Sequence, residues 1–267
     1  MTIRYLLAAI ALITAVPAVA KPTGAPDPRA LMEKSRATLL LRGSKMEVTV
    51  ELRSAKGAIR MRALEVDSRL QDDGLGVSRI SRFTSPADAK GLATLLVENQ
   101  TGDDYVWLYV PALKKIRRMV ADGKKERFMG TVLSYGDVLG HRPDQWTHKI
   151  LGEETWEGHA CWSVESTPAN QEAANESGYS RRVSCIDKES AFNWKMDTWD
   201  LKGRPDKSIM NHEVTAVAEQ PGVFSYKRME ALDLQSGERS ELIVEKFRYV
   251  KNPSADLFRP AALAEDD

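Results

Sequence analysis

Seven basic side chains, Lys114, Lys115, Arg117, Arg118, Lys124, Lys125 and Arg127, fall within fourteen residues, against only Asp122 and Glu126. Such crowding supports electrostatic rather than covalent chemistry. It draws anionic headgroups or an acidic partner surface. The plain alternative is a solvated edge strand, where lysines block edge-to-edge pairing. The two cysteines, Cys161 and Cys185, offer a second kind of chemistry. Both lie in strand-like stretches joined by the polar segment PANQEAANESG, and a hairpin centred on residue 173 sets them opposite one another. In an oxidising compartment that pair is expected as a disulfide, with two buried thiols as the alternative. There is no C-x-x-C to suggest redox catalysis. The four histidines, His141, His148, His159 and His212, stand outside any H-E-x-x-H and away from the cysteines, so no metal site is expected. No nucleophile elbow, Walker loop or dinucleotide fingerprint occurs, so no catalytic residue and no cofactor is assigned.

Beside the basic run lies an aromatic strand. Tyr105, Trp107 and Tyr109 share one face, and Val106, Leu108 and Val110 share the other. Both faces are apolar, which predicts a strand covered on both sides. Ordinary core explains the aromatics; a ligand-holding cavity is the second reading.

The compartment follows from the first twenty residues. Arg4 precedes an apolar run from Leu6 to Val16, and Ala18-Val19-Ala20 is a small-x-small cleavage site. This reads as a signal peptide of residues 1–20, too short to span a bilayer. No Cys follows the site, so the mature chain is not expected to be a lipoprotein. Removing Arg4 from a chain with 38 basic and 38 acidic residues leaves a formal charge of −1. Near-neutrality and export both argue against nucleic acid as a partner.

The elements that must position these residues are mostly strands. After a Pro/Gly linker (21–28), Asp27 caps a helix with Pro28 at its first position, and the amphipathic stretch runs from Ala30 to Leu41 and ends at Gly43. Met46, Val48, Val50 and Leu52 then alternate with Glu47, Thr49, Glu51 and Arg53, as in a half-buried antiparallel strand. Alternation and turn residues recur to residue 250, for about eleven strands in a large antiparallel sheet or open barrel. Between Phe128 and Trp146 alternation fails, which predicts a short helix and irregular loop. The tail is expected to hold one helical turn at most. Residues 29–267 read as a single domain.

Several segments taken in order resemble the outer-membrane lipoprotein-sorting family, the LolA-like periplasmic lipid and lipoprotein carriers. They are the helix before the sheet, SPADAKG (85–91), WLYVPALKKIRRM (107–119), FMGTVLSYGDV (128–138), LGEE (151–154) and DLFRPAAL (256–263). The chain departs from the pattern at Thr131-Val132-Leu133, where a more polar turn is usual. The resemblance implies an incomplete antiparallel β-barrel with a helical lid. It also implies a carrier that shuttles a lipid or lipid-modified protein between membranes beside an inner-membrane lipid-exporting pump. Leu31, Leu39, Val48, Val50, Trp107, Tyr109, Phe128, Met129 and Leu133 are then the candidate cavity or lid residues. The basic residues Lys114, Lys115, Arg117, Arg118, Lys124 and Lys125 are the candidate docking surface. A periplasmic monomer is expected. The rival readings are a lipid-sensing regulatory module and, less favoured, a hydrolase with dispersed carboxylates.

Overall fold

The computed structural model describes residues 24–119 and 124–265. The expected signal peptide, residues 1–20, lies outside the described residues, as does the first part of the linker. Helix α1 (Pro28–Ala37) begins as expected: the Asp27 carboxylate accepts from the Ala30 backbone N–H. It stops short of Leu41, because the Thr38 hydroxyl donates to the Ser35 carbonyl and the chain turns through Leu39 and Leu40.

Thirteen strands follow among the described residues, two more than the eleven or so expected. They are β1 (Gly43–Arg53), β2 (Ile59–Leu70), β3 (Val77–Ser85), β4 (Ala93–Val97), β5 (Tyr105–Val110) and β6 (Lys115–Met119). After an interruption come β7 (Trp146–Trp156), β8 (His159–Pro168), β9 (Tyr179–Asp187), β10 (Asn193–Asp200), β11 (Pro205–Ala216), β12 (Phe224–Asp233) and β13 (Arg239–Tyr249). All thirteen lie in one antiparallel sheet, in the order β6-β5-β4-β3-β2-β1-β13-β12-β11-β10-β9-β8-β7. Each half is a meander of sequential hairpins. The β1–β13 ladder, with Val48 opposite Val244, joins the halves. The curled sheet does not close: β6 and β7 are its two edges.

Period-two alternation sorts side chains onto the two faces. On the concave face, Val48, Val50, Leu52, Leu64, Val66 and Phe83 pack together. On the convex face of β3 to β6, Ile80, Leu95, Trp107, Tyr109 and Ile116 pack under Leu263 and Phe258. Those two belong to a pair of 3-10 turns, Ala255–Phe258 and Pro260–Ala264, so the tail holds more helical structure than one turn. Strand β5 is therefore covered on both sides, as its two apolar faces require.

The irregular stretch between the edges contains a 3-10 turn (Phe128–Gly130), helix α2 (Tyr135–Leu139) and a second 3-10 turn (Pro143–Gln145). Ser134 and Asp137 form a capping box on α2. The segment expected as a polar loop between the cysteine strands is instead helix α3 (Gln171–Ser177), capped by Asn170 and ended by Gly178 in the left-handed conformation. That helix shifts the hairpin register. Cys185 lies opposite Ser163, and Cys161 opposite Asp187, two positions from direct opposition. The cysteines still meet diagonally as a disulfide, with Cα atoms 5.2 Å apart. A cross-link closing a loop of this size stabilises by about 3 kcal/mol.

Candidate functional site

The chain must travel from edge β6 to edge β7, and residues 124–145 make that passage across the concave face. Phe128, Val132, Leu133, Tyr135 and Leu139 are buried on the way. A backbone crossing an apolar surface needs partners for its N–H and C=O groups. The sheet supplies them from both halves. Arg62 on β2 donates to the Met129 carbonyl, and Arg79 on β3 donates to the Val138 carbonyl. Lys207 on β11 donates to the Val132 carbonyl at 3.2 Å, and the Val132 N–H donates to Ser240 Oγ at 2.9 Å.

Between this segment, α1 and the sheet lies a cavity of about 320 Å³. That is near the lower end of the ~300–1,000 Å³ typical of ligand pockets. Its walls differ. Met46, Val48, Leu64, Val66, Leu242 and Val244, from β1, β2 and β13, make an apolar wall. Arg182, Ser184, Asn193 and Asn211, from β9 to β11, make a polar one, with Met196 and Ile209 among them. Leu39 and Phe247 stand at the rim, 46% and 36% exposed.

Buried ion pairs hold the cover, and two of them centre on Glu98 and Asp137 at the cavity. Arg36 of α1 donates to the Glu98 carboxylate just after β4, and also to the Leu75 carbonyl at 3.0 Å. Burial pushes Glu98 upward, and Arg36 opposes that. The second centre is Asp137 of α2. It accepts from Lys207 Nζ at 3.1 Å, from the Tyr179 hydroxyl at 2.7 Å and from the Ser134 N–H at 2.8 Å. Burial pushes Asp137 up, but Lys207, His141 and the Ser134 N–H outweigh it and hold the carboxyl well below its usual range. His141 Nε2 lies 3.6 Å from Asp137, too far for a hydrogen bond. Burial and Arg182 push the His141 imidazole down to about 4, against the pull of Asp137.

Four of the nine expected cavity or lid residues line the cavity: Leu39, Val48, Phe128 and Leu133. The other five do not. Leu31 faces away and anchors α1 on Ile150, Val164 and Ile186. Val50 shares the face of Val48 but is packed solid among Leu52, Leu64 and Phe83. Met129 packs beneath the crossing segment, against both the concave core and Leu96 with Val106. Trp107 and Tyr109 are on the convex side. The register decides this, since Trp107 pairs with Leu95 and Leu95 with Ile80, all on the face that the tail covers. The apolar lining on β2 and β11 to β13 follows alternation that the sequence shows. The polar wall carries no such signal, because Arg182 in a strand reads as solvent-facing.

The basic residues divide. Lys114, Lys115, Arg117 and Arg118 lie exposed along edge strand β6 and its hairpin tip, so the edge-protection reading holds for the same residues. Arg118 stacks over the Tyr105 ring at 4.1 Å. Lys125 is exposed. Lys124 does not belong to a surface patch: it is 7% exposed and bridges Asp104 at 2.9 Å and Glu176 at 3.2 Å. Two partly buried carboxylates, Asp104 on the β4–β5 loop and Glu176 on α3, need a shared cation, and Lys124 serves. Among the described residues no cluster of His, Cys, Asp or Glu is placed to hold a metal, and no helix is long and apolar enough to cross a membrane.

A protein-family model described only as that of an uncharacterized protein matches residues 76–265. No curated protein matches the chain. Among solved structures, a domain from Vibrio parahaemolyticus described as outer-membrane lipoprotein-sorting superposes with a TM-score of 0.81 at 22% identity, covering 89% of this chain and 98% of its own. A DUF1329 family protein from Desulfovibrio piger gives 0.80 at 24% identity, with 88% and 97% covered. A LolA superfamily protein from Nitrosomonas europaea gives 0.67 at 16% identity, with 88% and 98% covered.

The buried cluster makes stability depend on pH. A free imidazole titrates near 6.5. Between that value and about 4, the unfolded chain binds a proton at His141 that the folded chain refuses. The contribution is therefore full above about pH 6.5 and is lost as pH falls to about 4, on the order of ~3 kcal/mol. Asp137 acts in the same direction at lower pH. Unfolding by urea at pH 7, 5.5 and 4 should show this fall, and His141→Gln should flatten it. An equal slope in the variant would contradict the assignment.

Lys124→Gln should cost about 3 kcal/mol, because it leaves two partly buried carboxylates without their cation. The exposed changes Lys114→Gln and Lys115→Gln should each move stability by less than about 0.5 kcal/mol. Denaturation midpoints compare the three directly.

Proposed function

The chain belongs to the uncharacterized-protein family matched over residues 76–265 and has the LolA-like fold; from that premise we propose that it is a periplasmic carrier. It would hold a lipid, or the acyl chains of a lipid-modified protein, and shuttle it between membranes, receiving its load from an inner-membrane exporting pump. The observation that supports this reading most is the cavity, walled by Met46, Val48, Leu64 and Val244 and covered by the 124–145 segment and α1. Each methylene removed from water contributes ~0.8 kcal/mol, so an acyl chain resists crossing an aqueous space alone. A preformed apolar cavity removes that barrier. A cover held by side-chain ion pairs and hydrogen bonds rather than by a continuous ladder would provide for release. The task needs no covalent step.

Delivery is assigned to the exposed basic edge. Among the described residues, Lys114, Lys115 and Arg117 have no acidic side chain within ion-pair distance. Leu113, at the hairpin tip, is 54% exposed beside them. Basic charge around an exposed apolar tip suits a membrane surface carrying anionic lipid. Lys114→Gln with Lys115→Gln should weaken sedimentation with phosphatidylglycerol vesicles several-fold. The wild-type association should itself fall as salt rises. Unchanged, salt-independent association would return this strand to edge protection alone.

The cargo reading is tested by native mass spectrometry of freshly purified protein, followed by lipid extraction. Bound lipid is the expected result. Val48→Trp, which places an indole in the cavity, should reduce lipid occupancy several-fold while costing about 1–3 kcal/mol of stability. Protein that never retains or takes up lipid, with a wild-type fold, would remove the carrier reading.

A further inference from the structure

The polar wall holds a cation without a counter-ion. Arg182 on β9 is 5% exposed and lines the cavity. Its guanidinium lies over the Trp146 ring at 3.6 Å, and its Nη1 reaches only Met196 Sδ, at 4.0 Å. Its Nε is buried with no hydrogen-bond partner. Among the described residues no carboxylate lies within ion-pair distance of it. The nearby carboxylate, Asp137, is already committed to Lys207, Tyr179 and the Ser134 N–H. Burial and desolvation lower the Arg182 guanidinium to about 10, which leaves it charged at neutral pH.

The charges lining the cavity tell the same story. Arg36 is answered by Glu98, and Arg79 by the Val138 carbonyl. Arg182 has no such answer. A buried unpaired charge is costly and is normally compensated by an anion with good hydrogen-bond geometry. A guanidinium offers a planar fork of donors that fits carboxylate or phosphate. Across the cavity, Val48, Leu64, Val66 and Val244 are apolar, and the two lining hydroxyls on the same strands, Ser44 and Ser68, bond to each other at 2.7 Å.

We infer that the cavity is a binding site for an acyl amphiphile with an anionic headgroup, the headgroup seated at Arg182 and the hydrocarbon laid along β1, β2 and β13. This rests on the carrier reading and sharpens it. A cavity that holds hydrocarbon alone would need no buried cation. With Arg182 present, the site selects by head as well as by tail, and a neutral amphiphile of equal length would leave the guanidinium buried and unpaired.

The test displaces a neutral fluorescent probe, N-phenyl-1-naphthylamine, from the full-length mature protein. Lauric acid, dodecyl phosphate and dodecanol are compared at equal chain length. The acid, the phosphate or both should bind about tenfold or more tightly than the alcohol. Which of the two is tighter tells a carboxylate head from a phosphate head. Arg182→Gln should erase the preference, and Arg182→Lys should keep most of it. Equal binding of acid, phosphate and alcohol to the wild type would overturn the inference and leave the carrier reading standing. So would a preference that survives in Arg182→Gln. If none of the three displaces the probe, the carrier reading falls and takes this inference with it. The wild-type comparison stands even where Arg182→Gln does not fold.

Discussion

A polypeptide that crosses an apolar surface must find partners for its own backbone, and the passage of residues 124–145 is built around that requirement. The two edges of the sheet are consecutive in the chain, so the connection between them has to cross the concave face. No strand lies beside it to supply a hydrogen-bond ladder. Arg62, Arg79 and Lys207 reach out of the sheet and donate to its carbonyls instead. Long basic side chains suit this role because they bring a donor to the end of an apolar stem. Their charge then has to be balanced, and Asp137, carried on the crossing segment, balances Lys207. The segment thus brings its own counter-ion. The cavity is the space left where side chains from the two curved halves do not meet beneath this strap.

The carrier reading requires a cover that is firm and still separable, and the same arrangement is suited to both. The cover is held by side-chain hydrogen bonds and ion pairs, those of Lys124, Arg127, Asp137 and Arg36 among them, together with packed apolar residues such as Phe128 and Leu133. Opening removes charged groups from low dielectric and returns them to water, which offsets part of the lost attraction. A continuous backbone ladder, as between β1 and β2, offers no comparable compensation. The line between the sheet and its cover therefore coincides with the line between backbone and side-chain bonding.

Much of this was legible in the sequence because it depends on local rules. Asp27 and Pro28 announce the helix start, and Met46 to Arg53 alternate as a half-buried strand must. The loss of alternation after Phe128 marks the crossing segment. Other features depend on partners far along the chain. Lys124 sits within a run of basic residues, and only the approach of Asp104 and Glu176 makes it internal. Trp107 and Tyr109 could face either side of a doubly covered strand; the C-terminal turns decide which. The cysteine register moved because PANQEAANESG folds into α3, whose length a loop reading does not give. Arg182 has the sequence context of any surface arginine. Its isolation is a property of the space around it.

The β1–β13 ladder places the first strand beside the last, with Val48 and Val244 directly opposed. Every other pairing in the sheet joins neighbours in sequence and can form as the chain emerges. This one cannot, since its partners are separated by nearly the whole folded length. Loop closure over such a distance makes it a late event. Until the final strand has been synthesised, the growing chain carries β1 with one side unpaired, an exposed edge in an apolar half-sheet. Until that last strand arrives, the open side of β1 is a template on which a strand of another chain can pair, so the ladder that joins the two halves of the sheet is also the one that removes this liability.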